Sequence, residues 1–265
     1  MANAGDVRPW RGRWTARLPF AAVVLALAGA ACTGGIARQV TTPSPVLPGG
    51  STSPSPSQVP SGTDAQILQR VGLQPAELQS GFTVGLITGG DQVEGQITLD
   101  LCSAKFPSES LRRSRLQVAA ADQAGNGLGL STEAVLYKDE ASTAQGFQEL
   151  RSARDKCTDK PVQSETEGVP PLTYHFESAP DAAWTDVPGV TRLAFQFTLT
   201  DDQGNTERAV TVFLRRGRLL VGIYAFGDAV DAVLAPDVGG VQGLVERIAG
   251  RMSDLPSSVV SASVP

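Results

Sequence analysis

Across residues 192–200 the apolar positions alternate, with Leu193, Phe195, Phe197 and Leu199 all pointing one way. A period of two marks a half-buried strand. The turn Asp202-Gln203-Gly204-Asn205 follows, 207–214 pairs back, Arg215-Arg216-Gly217-Arg218 turns again, and 219–226 returns. Short turns between adjacent strands predict an antiparallel meander. Upstream, residues 81–87, 96–102, 113–120, 129–137 and 173–178 also read as strands between Gly-, Pro- and Asp-rich turns. Two stretches carry the helical period instead. Asp139 is placed to cap a helix over 140–156, whose Phe147, Leu150 and Ala153 share a face with Cys157 just beyond it. Val241, Leu244, Val245, Ile248 and Met252 form a single stripe on a final helix. A short helix over 65–71 starts from Asp64, and Pro75 opens another turn. Runs of strands broken by single helices predict an α+β domain, an antiparallel sheet with helices packed on one side. Each half reads as strands followed by a helix, which raises the question of an internal duplication.

The first 62 residues have neither period. Arg8, Arg11, Arg13 and Arg17 precede an apolar run over 18–32 that ends in small residues at a cysteine. That is the layout of a secretory signal, and the run is short of the ~20 apolar residues a membrane-spanning helix needs. The ending Leu27-Ala28-Gly29-Ala30-Ala31-Cys32 resembles the lipobox of bacterial lipoproteins, with Gly29 where leucine is usual. The resemblance implies that Cys32 carries a diacylglycerol and that residues 1–31 are removed as a signal peptide. Ordinary secretion with a free Cys32 is the rival reading, and an uncleaved anchor the third. Residues 32–62 are a Pro/Ser/Thr/Gly-rich linker with too few apolar groups to offset the entropy of ordering. At about 3.1 Å per residue its proline-rich part extends on the order of 60 Å. The chain then divides into signal peptide 1–31, linker 32–62, one folded domain over 63–256 and a disordered tail over 257–265.

Charge narrows the partners. The 265 residues hold 22 basic and 27 acidic side chains. Removing 1–31 takes away four Arg and Asp6, leaving 18 against 26, a net of −8. An acidic exported domain lacks the basic surface that nucleic-acid binding relies on. Arginine outnumbers lysine 18 to 4, an association with GC-rich coding that suggests an actinobacterial source. There are three cysteines, Cys32, Cys102 and Cys157. With Cys32 lipidated, Cys102 and Cys157 can pair, and no odd thiol remains in an oxidising compartment.

Catalytic chemistry is sparse. The one histidine, His175, sits in a strand on its more polar face, where a surface role outweighs a catalytic one. Nucleophilic catalysis needs a base beside the nucleophile, and zinc needs more ligands than one histidine and two paired cysteines. Residues 201–205 lack the spacing of a calcium loop and read as a hairpin turn. No phosphate-cradling glycine motif occurs. Catalytic residues, metal and cofactor are therefore all expected to be none. Two basic clusters remain. Arg112-Arg113-Ser114-Arg115 lies beside the strand that ends in Cys102, and Arg112 and Arg115 are the candidate ligand-binding residues for an anionic group. Arg215-Arg216-Gly217-Arg218 is a hairpin tip placed to face anionic lipid.

Several pieces together resemble one group: the strand ending in Leu101-Cys102, the helix ending in Lys156-Cys157, the closing hairpin plus helix, and the opening Leu73-Gln74-Pro75-Ala76-Glu77-Leu78. They are similar to exported actinobacterial lipoproteins whose domain resembles the extracellular sensor domain of PknH-type serine/threonine kinases. The kinase sensors usually carry more than one disulfide, and only one is possible here. The resemblance implies a non-catalytic ligand-binding or sensor-like domain, lipid-anchored on the extracytoplasmic side of the cell membrane. The alternative is an envelope scaffold, a Mog1/PsbP-like lipoprotein that binds a protein partner through its sheet face. The expected partners are the membrane, through the anchor, and a small molecule or an envelope protein, with the ligand held between sheet and helices near Cys102.

Overall fold

The computed structural model describes residues 63–163, 171–227 and 230–261. Cys32, the signal peptide 1–31 and the linker 32–62 lie outside the described residues, as do 262–265 of the tail.

The domain is α+β, built on a single antiparallel sheet of seven strands. Helix α1 (Asp64–Val71) leads into β1 (Thr83–Leu86), β2 (Arg112–Ala121) and β3 (Gly127–Tyr137). Helix α2 (Glu140–Lys156) is followed by β4 (Thr173–Phe176), β5 (Thr191–Thr200), β6 (Thr206–Arg216) and β7 (Leu219–Phe226). Helix α3 (Gly240–Ser253) and the one-turn α4 (Ser257–Val260) close the chain. The strand order is β1-β2-β3-β7-β6-β5-β4. Helix α2 begins as its sequence predicts, Asp139 Oδ1 accepting the Ser142 N–H at 2.8 Å. At α1 the cap is Thr63, which forms a capping box with Gln66. Asp64 is instead the first helical residue, and it accepts a hydrogen bond from Ser114 Oγ at 2.8 Å.

The helices do not all pack on one side. Successive residues of a strand face opposite ways, and here both faces are apolar. Ala134, Leu136, Val212, Leu214, Val221 and Ile223 form one core with α1 and α3. Val135, Tyr137, Phe195, Phe197, Phe213 and Leu220 form a second core with Phe147, Leu150 and Ala153 of α2. The central strands therefore need cover on both faces, and α2 supplies it on the face opposite α1 and α3.

The expected strand over 96–102 has no ladder partner. Its Thr98 and Leu99 N–H groups donate to the Glu109 carboxylate, at 2.9 and 3.0 Å. Leu99 and Leu101 are buried, but Ile97 of the same parity is exposed and Thr98 is buried, so the alternation seen in the sequence is not kept in the structure. The tail is ordered further than expected. Val259 and Val260 are buried, and the Val260 carbonyl accepts the Arg218 N–H at 2.7 Å. Gly217, at φ 54°, lies under that carbonyl, and a Cβ there would come 2.1 Å from the Val260 oxygen.

The chain also repeats. Adding 79 to the bounds of β2 and β3 gives those of β5 and β6, 191–200 and 206–216. Both hairpins close through Asp-x-x-Gly-Asn, Asp122 to Asn126 and Asp201 to Asn205. In each loop the Asp carboxylate accepts the Asn backbone N–H and side-chain amide at 2.7–2.9 Å. Thr83, the first residue of β1, lies opposite Ala121, the last of β2, and Thr173, the first of β4, opposite Thr200, the last of β5, so the outer strands keep the same register. β3 and β6 both run antiparallel to β7, so the two meanders are related by a half-turn about the long axis of β7. Such a rotation exchanges faces. Leu130 and Ala134 belong to the first core, and their counterparts Ala209 and Phe213 to the second. The repeating unit is helix then three strands, with α1 and α2 each leading a unit, rather than strands then helix.

Candidate ligand cleft

Within each repeat the connection between first and second strand is long, 87–111 in one and 177–190 in the other. Each is held down by arginine. Arg192 pairs with Asp181 at 2.9 Å, donates to the Thr185 carbonyl at 3.0 Å and lies over the Trp184 ring. In the 87–111 segment the holding groups are Arg112 and Arg115. Arg112 Nε donates to the Glu109 carbonyl at 2.8 Å, Nη1 to Thr98 Oγ1 at 2.7 Å and Nη2 to the Val93 carbonyl at 3.3 Å. Thr98 Oγ1 in turn donates to Glu133 Oε1 at 2.7 Å. Arg115 Nε donates to that same Glu133 oxygen, and its Nη1 to the Gly89 carbonyl at 2.9 Å. The Arg115 and Glu133 side chains are each 2% exposed.

This network folds the segment back on itself and leaves a cleft of about 390 Å³ in the layer above the sheet. It is lined by residues 96, 97, 99 and 100 before the Cys102–Ser103 turn, by 103–106 at and after it, and by Glu109 and Arg112. The chain turns at Cys102 and Ser103, at φ 56° and 50°. The left-handed region is unfavourable for residues with a side chain, by roughly 1–2 kcal/mol each. Two ties hold the turn: the Cys102–Cys157 disulfide, with a Cα–Cα distance of 5.7 Å, and Ser103 Oγ donating to the Gln163 carbonyl at 2.6 Å. Below it, Ser108 Oγ donates to Glu149 of α2 at 2.6 Å. Gly146 lies against this contact, where a Cβ would stand 3.1 Å from the Ser108 hydroxyl. Burial pushes the Glu109 carboxyl above its ordinary range, against the lowering pull of the Thr98 N–H bond and the Arg112 charge.

The pairing of Cys102 with Cys157 is as the sequence suggests. Arg112 does line the cleft, beside the disulfide-bearing wall. Arg115 does not, and lies buried beneath residues 89–92. Neither presents an uncommitted guanidinium, because charge that must be buried is matched internally. The space between sheet and α2, where a ligand was expected, is filled by Phe147, Leu150, Phe195 and Phe213, all buried. The second basic cluster also turns inward. Arg216 Nη1 donates to the Leu255 carbonyl at 2.6 Å, and Arg218 Nε to the Val259 carbonyl at 3.0 Å. Arg215 lies over the Phe147 ring. His175 is 53% exposed, 3.8 Å from Asp159, on the face of β4 away from the core residues Tyr174 and Phe176. Among the described residues no group of three His, Cys, Asp or Glu side chains is placed to hold a metal ion. No helix among them is long and apolar enough to cross a membrane.

Sequence reading passed over Thr98, Lys105, Glu109 and Glu133. Glu133 carried a signal. It is a lone acid inside the otherwise uncharged strand Gly127–Tyr137, and a buried acid calls for a cation on the neighbouring strand.

No family model and no curated protein matches this chain. Among solved structures, the extracellular domain of PknH from Mycobacterium tuberculosis is similar at 12% identity and a TM-score of 0.36, over 72% of this chain and 90% of that one. The functional reading rests on this chain's own residues.

Proposed function

We propose that this chain is an exported lipoprotein, anchored through Cys32 on the extracytoplasmic side of the cell membrane. Its domain is a non-catalytic binding module that takes a small ligand in the cleft at 96–112. The observation that carries the binding reading is the fixed state of the cleft. Its walls are tied by a disulfide, a buried arginine and a carboxylate that accepts two backbone N–H groups. A site already rigid loses little ordering entropy when a ligand arrives, and its volume suits a small molecule. The same commitments argue against catalysis. The Ser103 hydroxyl, Glu109 and Arg112 are each bonded to the chain itself. Export is supported by the signal-like run over 18–32 and by the disulfide, which persists in oxidising compartments. The pairing of Cys102 with Cys157 leaves Cys32 as the third cysteine, at the end of that run. The scaffold reading is less favoured, because cores cover both sheet faces.

Two measurements test the proposal. Intact mass of the chain extracted from membranes is expected to show a diacylglycerol on Cys32, and Cys32→Ala to release the chain into the soluble fraction. A wild-type chain without acyl mass overturns the anchor. Native mass spectrometry is expected to show a co-purified small molecule that is lost in Ile97→Arg, a change placed in the cleft wall. A molecule retained equally by both overturns the assignment of the cleft.

A further inference from the structure

The charges that line the cleft are not equivalent. Glu109 accepts the N–H groups of Thr98 and Leu99 and pairs with Arg112 at 3.1 Å. The Arg112 donors go to Glu109, Thr98 and the carbonyls of Val93 and Gln96. These two groups offset each other's charge, and their hydrogen-bonding capacity is taken by the chain. Asp100 has a partner of its own. Lys105 differs. It is exposed on the cleft wall and makes no ion pair or hydrogen bond with any described residue. Ile97, which lines the same cleft, is 47% exposed. Large apolar side chains in the open are few in this domain, Leu86 being the other among the described residues. Leu99 and Phe106 back the same cleft.

We infer that the cleft selects a small organic acid: an apolar body against Ile97 and Phe106, with the acid group on the Lys105 ammonium. This inference rests on the cleft being a binding site, as proposed above, and adds the chemistry of its ligand. Of the two cationic side chains that line the cleft, Arg112 is already bonded by the chain, so an anion gains a contact at Lys105 that a neutral or cationic ligand does not. The long-range field of an acidic protein opposes capture of an anion, so the preference appears in equilibrium affinity at short range, and raised salt weakens it.

The test uses the full chain and three probes with the same apolar tail: octanoate, 1-octanol and octylammonium. Calorimetric or NMR titration is expected to give octanoate roughly five- to tenfold tighter binding than the other two, the range of a partly screened charge-assisted contact. Lys105→Gln is expected to bring octanoate to the level of octanol. Ile97→Ser is expected to weaken all three alike. Lys105 is exposed and pairs with no described residue, so its replacement leaves the fold intact, and unchanged thermal unfolding of the variant checks this. Equal affinity for the three probes, or a preference for octylammonium, overturns the inference while the cleft reading stands. Octanoate binding unaffected by Lys105→Gln overturns it as well. If the wild type binds none of the probes, the inference also fails. The co-purified molecule sought by native mass spectrometry then decides the cleft reading separately.

Discussion

Arg112 and Arg115 each carry five N–H donors in a rigid fork, and together they make five hydrogen bonds to carbonyls of residues 89–109. The same use recurs where Arg216 caps the end of α3 and where Arg251 joins Glu77 at 2.6 Å and the Gly72 carbonyl at 2.9 Å. In each case the arginine fastens a non-sheet segment to the regular elements. A cluster of arginines in sequence looks like a surface feature because charge is costly to bury. What it lacks is the partner list, which comes from far along the chain. For Arg115 the partner Glu133 sits on the adjacent strand. It lies diagonally, since Gln117 is the residue directly opposite Glu133. That pair gives a direct test. Arg115→Met strands a buried carboxylate and is expected to lower unfolding free energy by about 3–5 kcal/mol. The double change Arg115→Met/Glu133→Leu is expected to recover most of the loss, because replacing both partners by apolar groups is often neutral. Urea unfolding of the two variants measures both. A double variant no more stable than the single one would show that the pair is not the source of the effect.

At the level of elements, β5 and the helices α2 and α3 follow from period, while β2, β3, β6 and β7 follow from apolar runs between turn residues, the central strands being apolar on both faces. Residues 96–102 show why period is not sufficient. Leu99 and Leu101 alternate in the sequence as a strand would, but a ladder also needs a neighbour, and here the carboxylate of Glu109 takes the backbone N–H groups instead. The duplication was only half legible. The two Asp-x-x-Gly-Asn loops are visible in the sequence, yet the half-turn about β7 swaps inside for outside. Ala134 on one face thus answers to Phe213 on the other, and side-chain similarity is erased except at the loops. Each repeat then needed its own device to secure its long connection. The first repeat adds the disulfide, which closes a separation of 55 residues between the cleft wall and α2. Cys157→Ser is expected to reduce stability by about 4 kcal/mol on the chain-entropy account. It is also expected to speed amide exchange in 96–106 more than in 191–226. Uniform acceleration across both regions would mean that the disulfide serves the whole domain and not the cleft.

The described domain begins and ends at one side chain. Arg218 reaches Asp64 Oδ1 at 3.3 Å and the Val259 carbonyl at 3.0 Å, so the first turn of α1 and the last turn of α4 meet at the β6–β7 turn. A circular permutant that joins the C-terminus to Thr63 through a short linker and opens the chain between Gln203 and Gly204 is therefore expected to fold. Its unfolding should remain a single cooperative transition by circular dichroism. A permutant that is soluble yet lacks that transition would show that the 201–205 loop is needed intact. A chain tethered upstream of Thr63 is suspended from its Arg218 end. The strands run about 35 Å away from that end, and both Asp-x-x-Gly-Asn loops sit at the far tip, since Leu136 and Arg216 lie opposite Leu219 at the near one. Under the anchoring proposed above, those two loops lie at the end of the described domain opposite the point where the tether joins it.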